Sequence, residues 1–287
     1  MDPNRKPLIA GNWKMHMTAR EAADLAAAIN KGLDPDLKHD VLLAPSFTGL
    51  HAVRAALSGS KIFLSSQDVA WEEKGAFTGA VAPSQLLDAG CSHAIIGHSE
   101  RRKIFLETDE VINKKVKAAL KAGLLPVLCI GETLEERESQ KTYRVLETQL
   151  TGAYAGIPAA DAAKCVIAYE PVWAIGTGKT ATPEQAQDAH TFVRKQMERL
   201  YGRDFAAAVR ILYGGSVKAD NVDELMAQPD IDGALVGGES LKADKFLRVI
   251  HSACQHAGHG LARIARRSSA LAPRAYDARS SEAVLLS

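Results

Sequence analysis

Polar residues of the kinds that move protons stand directly after short apolar runs in this chain. Asn12 and Lys14 follow the first run; His98, Ser99 and Glu100 follow the fourth; Glu170, joined to Pro171, ends the sixth. Later runs end in glycine instead: Tyr213-Gly214-Gly215-Ser216 closes the seventh and Gly237-Gly238 the eighth. This set suits one chemistry, the movement of a carbonyl by one carbon. That reaction needs a base to remove a proton alpha to the carbonyl, an electrophile to polarise its oxygen and a cation to hold developing charge. Glu170 fits the base if partly desolvated, because burial raises a carboxylate's proton affinity. Glycine pairs let backbone N–H groups approach an anion, and a helix N-terminus adds a favourable dipole, so they read as a phosphate grip. Singly, each residue has a structural explanation: a solvated lysine, a hydrogen-bonded histidine, a strand-ending glutamate, ordinary turns. Convergence on one mouth is what favours chemistry.

The elements between these residues decide whether they converge. The apolar runs are Pro7–Trp13, Asp40–Ser46, Lys61–Gln67, His93–Gly97, Leu124–Gly131, Lys164–Glu170, Val209–Tyr213 and Asp232–Gly237. Several are almost continuously apolar, as strands buried on both faces should be. Helix signals lie between them. Thr18 to Glu21 and Thr133 to Glu136 fit capping boxes, and Thr182-Pro183 pairs a cap with proline at the first helical position. Gly123 and Gly202 stand where helices should stop. Eight strand–helix units imply an α/β fold with a parallel sheet, closed at this length into a single (β/α)8 barrel; an open doubly wound sheet is the alternative. Such a barrel carries its site at the C-terminal ends of its strands. The barrel is expected over 1–256. Residues 257–287 break the rhythm, with five arginines against Asp277 and Glu282 and no following strand, and are expected to form a flexible tail.

A formal net charge of +1 gives no field that selects nucleic acid or a membrane surface. No apolar run reaches the roughly 20 residues that span a bilayer, and the first residues lack a signal peptide's apolar stretch, so a cytoplasmic enzyme is expected. Cys91, Cys129, Cys165 and Cys254 form no CxxC pair and read as reduced thiols. Gly178-Lys179-Thr180 resembles the end of a Walker phosphate loop, but the required first glycine would fall at Trp173. His98-Ser99-Glu100 lacks the Pro-Cys-x-x-Cys that completes a zinc deaminase. No metal and no cofactor are expected.

The stretches GNWKM (11–15), GAFTG (75–79), IIGHSERR (95–102), CIGE (129–132), AYEPVWAIGTGKTA (168–181), YGGSV (213–217) and LVGG (235–238) run in order across residues 7–256. Together they resemble the triosephosphate isomerase family and its TIM barrel. The resemblance implies interconversion of dihydroxyacetone phosphate and D-glyceraldehyde 3-phosphate through an enediolate, in glycolysis and gluconeogenesis. By it, Glu170 moves the proton, and His98 polarises the carbonyl while kept neutral by a helix N-terminus, the family being itself a standard example of such tuning. Lys14 supplies positive charge, Asn12 positions a substrate oxygen and Glu100 supports Lys14. Backbone N–H groups of Gly176, Ser216, Gly237 and Gly238 hold the phosphate. The lid would comprise Pro171, Val172, Trp173, Ala174, Ile175, Gly176, Thr177, Gly178, Lys179, Thr180 and Ala181. Ile175 and Leu235 would clamp the base, and Tyr213 and Ser216 would bond the closed lid. Gly75, Ala76, Phe77, Thr78 and Gly79 would insert into a second subunit, giving a homodimer.

Three features depart from the family's pattern. Ala80 replaces a common glutamate, leaving Arg101 to pair with Glu107 instead. Glu239 follows Gly237-Gly238 where alanine is usual. At about 8 Å it would repel a phosphate by roughly 2 kcal/mol per charge pair in an effective dielectric of about 20, unless it faces solvent and favours the first turn of a helix. The third is the tail. A barrel enzyme acting on another phosphosugar, or a catalytically inactive scaffold, are the competing readings; neither accounts for the intact set Asn12, Lys14, His98 and Glu170.

Overall fold

The computed structural model describes residue 2, residues 4–176 and residues 179–252. The expected tail, Cys254, and Thr177 and Gly178 of the expected lid lie outside the described residues.

Eight parallel strands close into a barrel in sequence order. They are β1 Leu8–Asn12, β2 Asp40–Ala44, β3 Phe63–Ser66, β4 His93–Ile96, β5 Leu125–Ile130, β6 Val166–Tyr169, β7 Ile211–Tyr213 and β8 Gly233–Val236. β1 closes the ring on β8, with Leu8 opposite Gly233 and Gly11 opposite Val236. Each strand falls within its expected apolar run. β7 is shorter than its run, because a short helix, Arg203–Ala208, holds Val209 as its C-terminal cap.

Strand alternation sorts the apolar residues into two cores. Leu8, Ala10, Leu42, Ala44, Ile95, Val127, Cys129, Val166, Ala168, Leu212 and Leu235 form one cluster, filling the barrel. Ile9, Val41, Leu43, Ala94, Ile96, Ile167, Tyr169, Ile211, Tyr213 and Val236 belong to the other, beneath the helices. The inward parity runs to the strand ends and past them. Asn12 follows Leu8 and Ala10, Glu170 follows Val166 and Ala168, and Gly237 follows Leu235. The period of two that packs the core therefore also aims these residues at the mouth.

The expected helix signals hold. Thr18, Thr133 and Thr182 each form a capping box with the residue three positions on. Gly123 ends its helix in the left-handed region at φ 94°, a conformation that suits glycine. Cys91, Cys129 and Cys165 are buried free thiols. No described helix is long and apolar enough to cross a membrane.

Candidate active site

A cavity of about 320 Å³ opens at the C-terminal ends of the strands. Asn12, Lys14, Gly176, Ser216, Gly237 and Gly238, the residues expected to hold substrate, all line it. His98, Glu170, Ile175 and Leu235 line it too. Glu100 stands behind Lys14, its Oε1 accepting from Nζ at 2.5 Å.

The base end is built from buried side chains. Glu170 is 2% exposed. Its backbone N–H donates to the Ile130 carbonyl at 2.7 Å, and the Gly214 N–H donates to the Tyr169 carbonyl at 2.7 Å, so β5 and β7 grip it from both sides. Closeness of this kind requires glycine. A Cβ on Gly131 would lie 1.7 Å from the Glu170 carbonyl oxygen, and one on Gly214 2.7 Å from Glu170 Cγ. The Glu170 carboxylate makes two further contacts. Oε1 lies 3.0 Å from His98 Nε2, and Oε2 accepts the Ser99 N–H at 3.0 Å.

His98 caps the helix Ser99–Ile104, with Nδ1 accepting the Glu100 N–H at 3.2 Å. A ring nitrogen that accepts carries no proton, so the ring proton is assigned to Nε2, facing Glu170. The helix N-terminus thus donates to the Nδ1 of His98. The neighbouring carboxylates act the other way. Burial disfavours the imidazolium, yet the charge and hydrogen bond of Glu170, with Glu100 behind, raise the proton affinity of His98 above its ordinary value. The Nδ1 contact assigns the neutral tautomer, and the raised proton affinity comes from the contact with Glu170. Burial alone would raise the Glu170 carboxyl, but His98, the Ser99 N–H and Lys14 hold it below the ordinary carboxylate range. Glu170 therefore rests ionised and restrained.

Lys14 sits at φ 50°, a region uncommon for residues other than glycine. Local bonds hold it there. Its N–H donates to Asn12 Oδ1 at 3.1 Å, and the Gln67 amide donates to the Lys14 and Ala44 carbonyls, each at 2.8 Å.

Within the expected lid, Pro171 leads into a 3-10 turn over Val172–Ala174. Trp173 is anchored by Glu132, a fully buried carboxylate. Glu132 accepts from Trp173 Nε1 at 2.8 Å, from Tyr169 Oη at 3.1 Å and from Arg137 at 3.2 Å. The Arg137 guanidinium also stacks over the Trp173 ring at 4.5 Å. On the other side of the lid, Lys179 and Thr180 are exposed and Ala181 is buried. The Tyr213 hydroxyl interacts with the backbone of Ala181, at the far end of the expected lid, and the Ser216 carbonyl accepts from Asn221.

Glu132 and Gln67 went unassigned a role from sequence. Gln67 ends its apolar run and Glu132 directly follows one, so the rule that found Glu170 and Lys14 reaches them as well. Glu239 neither projects freely nor stands alone: it lines the cavity and pairs with Lys245 at 3.0 Å. Arg101 bonds Glu107 at 2.7 Å, as expected, and also Asp68 at 3.0 Å. Residues Gly75 to Gly79 are exposed, with Phe77 packed edge-on against Trp71 at 5.7 Å.

The family model described as triosephosphate isomerase matches residues 7–253. The chain is similar to curated proteins of that name. It is 57% identical over 247 residues to the one from Geobacter metallireducens, covering 86% of this chain and 98% of the relative. It is 54% identical to those from Syntrophotalea carbinolica and Roseiflexus sp. (strain RS-1), covering 86% of this chain and 98% and 97% of the relatives.

Proposed function

The chain belongs to the triosephosphate isomerase family, and from that premise we propose how its own residues interconvert dihydroxyacetone phosphate and D-glyceraldehyde 3-phosphate in glycolysis. Glu170 removes a proton from the carbon beside the carbonyl. The freed electron pair becomes the carbon–carbon double bond of an enediolate, and the carbonyl oxygen takes up the negative charge. The Nε2–H of His98 and the ammonium of Lys14 stabilise that oxygen, and Asn12 orients it. The proton of the adjacent hydroxyl passes to that oxygen, relayed by His98, so the charge moves to the other oxygen; the second carbonyl then forms as Glu170 returns its proton to the neighbouring carbon. Backbone N–H groups of Gly176, Ser216, Gly237 and Gly238 hold the phosphate, so the reacting carbons stay in place between the two transfers. No cofactor takes part.

The observation that carries this reading is the contact of Glu170 with His98 and Ser99. It supports Glu170 as a buried, ionised base at the wall of the cavity. Substrate that draws His98 into bonding the carbonyl oxygen takes away one restraint. Closure of Ile175 and Leu235 over the carboxylate excludes water and strengthens the base. A coupled assay with glyceraldehyde 3-phosphate tests the reading; a folded protein without turnover defeats it.

The protein works as a cytoplasmic homodimer in this reading. Support comes from apolar side chains on the face beside the site: Met15 is 95% exposed, Leu106 76% and Phe77 42%. The 75–79 loop docks beside the Asn12–Lys14 segment of a second copy, burying them. A dominant monomer in sedimentation at low concentration would remove the dimer. The catalytic domain spans 1–256, and a chain truncated at Ala257 keeps full turnover; loss of turnover would assign the tail a role.

A further inference from the structure

Glu239 occupies a position where a carboxylate ought to hinder the enzyme. It lines the cavity beside Gly237, Gly238 and Lys14, in the 3-10 turn Gly238–Leu241. The same space must receive a phosphate dianion. Two like unit charges about 8 Å apart, in an effective dielectric of about 20, repel enough to weaken binding by more than tenfold.

A cation answers that charge. Lys245, on the helical stretch 243–252, places Nζ 3.0 Å from Glu239 Oε1. The Glu239 side chain is 21% exposed and that of Lys245 44%, so the pair lies at the rim, half in solvent. Pairs of this exposure add little to fold stability. Their effect is on the field inside the cavity, where low-dielectric walls preserve a charge that solvent would otherwise screen.

We propose that Lys245 is a positioning residue for the substrate phosphate: by pairing with Glu239 it cancels a negative charge at the rim of the grip. Lys245 itself touches neither the reacting carbons nor Glu170; it acts through Glu239. The inference rests on the reading of Gly237 and Gly238 as a phosphate grip.

The test is steady-state kinetics of the full chain in low-salt buffer, with glyceraldehyde 3-phosphate as substrate and inorganic phosphate as competing anion. K245Q raises KM and the inhibition constant for phosphate about fivefold, with kcat within about twofold of wild type. Salt at about 0.5 M narrows the difference, since screening then acts over a few ångströms. The double variant E239Q/K245Q returns both constants to wild-type values. Unchanged constants in K245Q overturn the inference, as does a double variant that keeps the raised values, because Lys245 would then not act through Glu239. Failure of phosphate to compete in the wild-type enzyme overturns the grip reading itself, and the inference with it.

Discussion

The two ends of the cavity are built differently. At the proposed base end, Glu170, His98 and Ser99 are all buried, and Glu170 is bonded to the other two. At the proposed phosphate end, Gly176 and Gly238 present bare backbone, and a Cβ added to either would meet nothing within 4 Å. Open backbone suits a ligand that brings its own charge and many acceptors. Buried side chains suit a group whose proton affinity must be set in advance. In the proposed mechanism, placement of the reacting atom is thus entrusted to the packed core, and capture of the substrate to loops.

If that division holds, damage at the base end should fall on kcat. Glu170→Gln has the largest expected effect, a loss of turnover of about a thousandfold with KM changed only a few-fold, read by steady-state kinetics. A variant that instead lost binding would erase the distinction.

A buried histidine packs behind the strands that carry Glu170 and Gly214. His190 is fully buried against Tyr169 and Tyr213, the last residues of β6 and β7. Burial lowers its pKa from 6.5 to about 4. The unfolded chain therefore binds more protons between those values, so this contribution is complete above pH 6.5 and is lost as the pH falls towards 4. The shift corresponds to about 3 kcal/mol. Urea midpoints measured across that window should fall steeply in the wild type and less steeply in His190→Gln; parallel curves would show that His190 is not the group responsible.

Ile175→Ala and Leu235→Ala should each lower turnover roughly tenfold, or about 1.4 kcal/mol of barrier. Both line the cavity with Glu170, and shortening either admits water to the carboxylate. Unchanged kcat in both variants would defeat the clamp.

Ser99→Pro is the mildest and sharpest probe. Ser99 is the first residue of its helix, where proline is tolerated, and His98 before it is already extended at ψ 142°. The substitution deletes the N–H that donates to Glu170 and leaves the rest of the site in place. With that bond gone, the Glu170 carboxyl titrates higher, so the acidic limb of kcat/KM moves to higher pH. An unmoved limb would mean that the resting bond does not restrain the base.

Much of this was legible in the chain. The eight apolar runs contained the eight strands because strands buried on both faces must be apolar throughout. The caps at Thr18, Thr133 and Thr182 were legible because they close within three residues. Alternation even aimed Asn12 and Glu170 at the mouth. Pairings across long separations were decided only by closure of the barrel. Ser99 meets Glu170 across 71 residues, and Trp173 meets Glu132 across 41. Sequence shows that a donor and an acceptor exist; which ones meet depends on register and strand tilt, set by the packing of the whole ring. Glu239 shows the same division. The residue alone raised a charge conflict; only the fold shows that Glu239 lines the cavity and that Lys245, six residues on, meets it there.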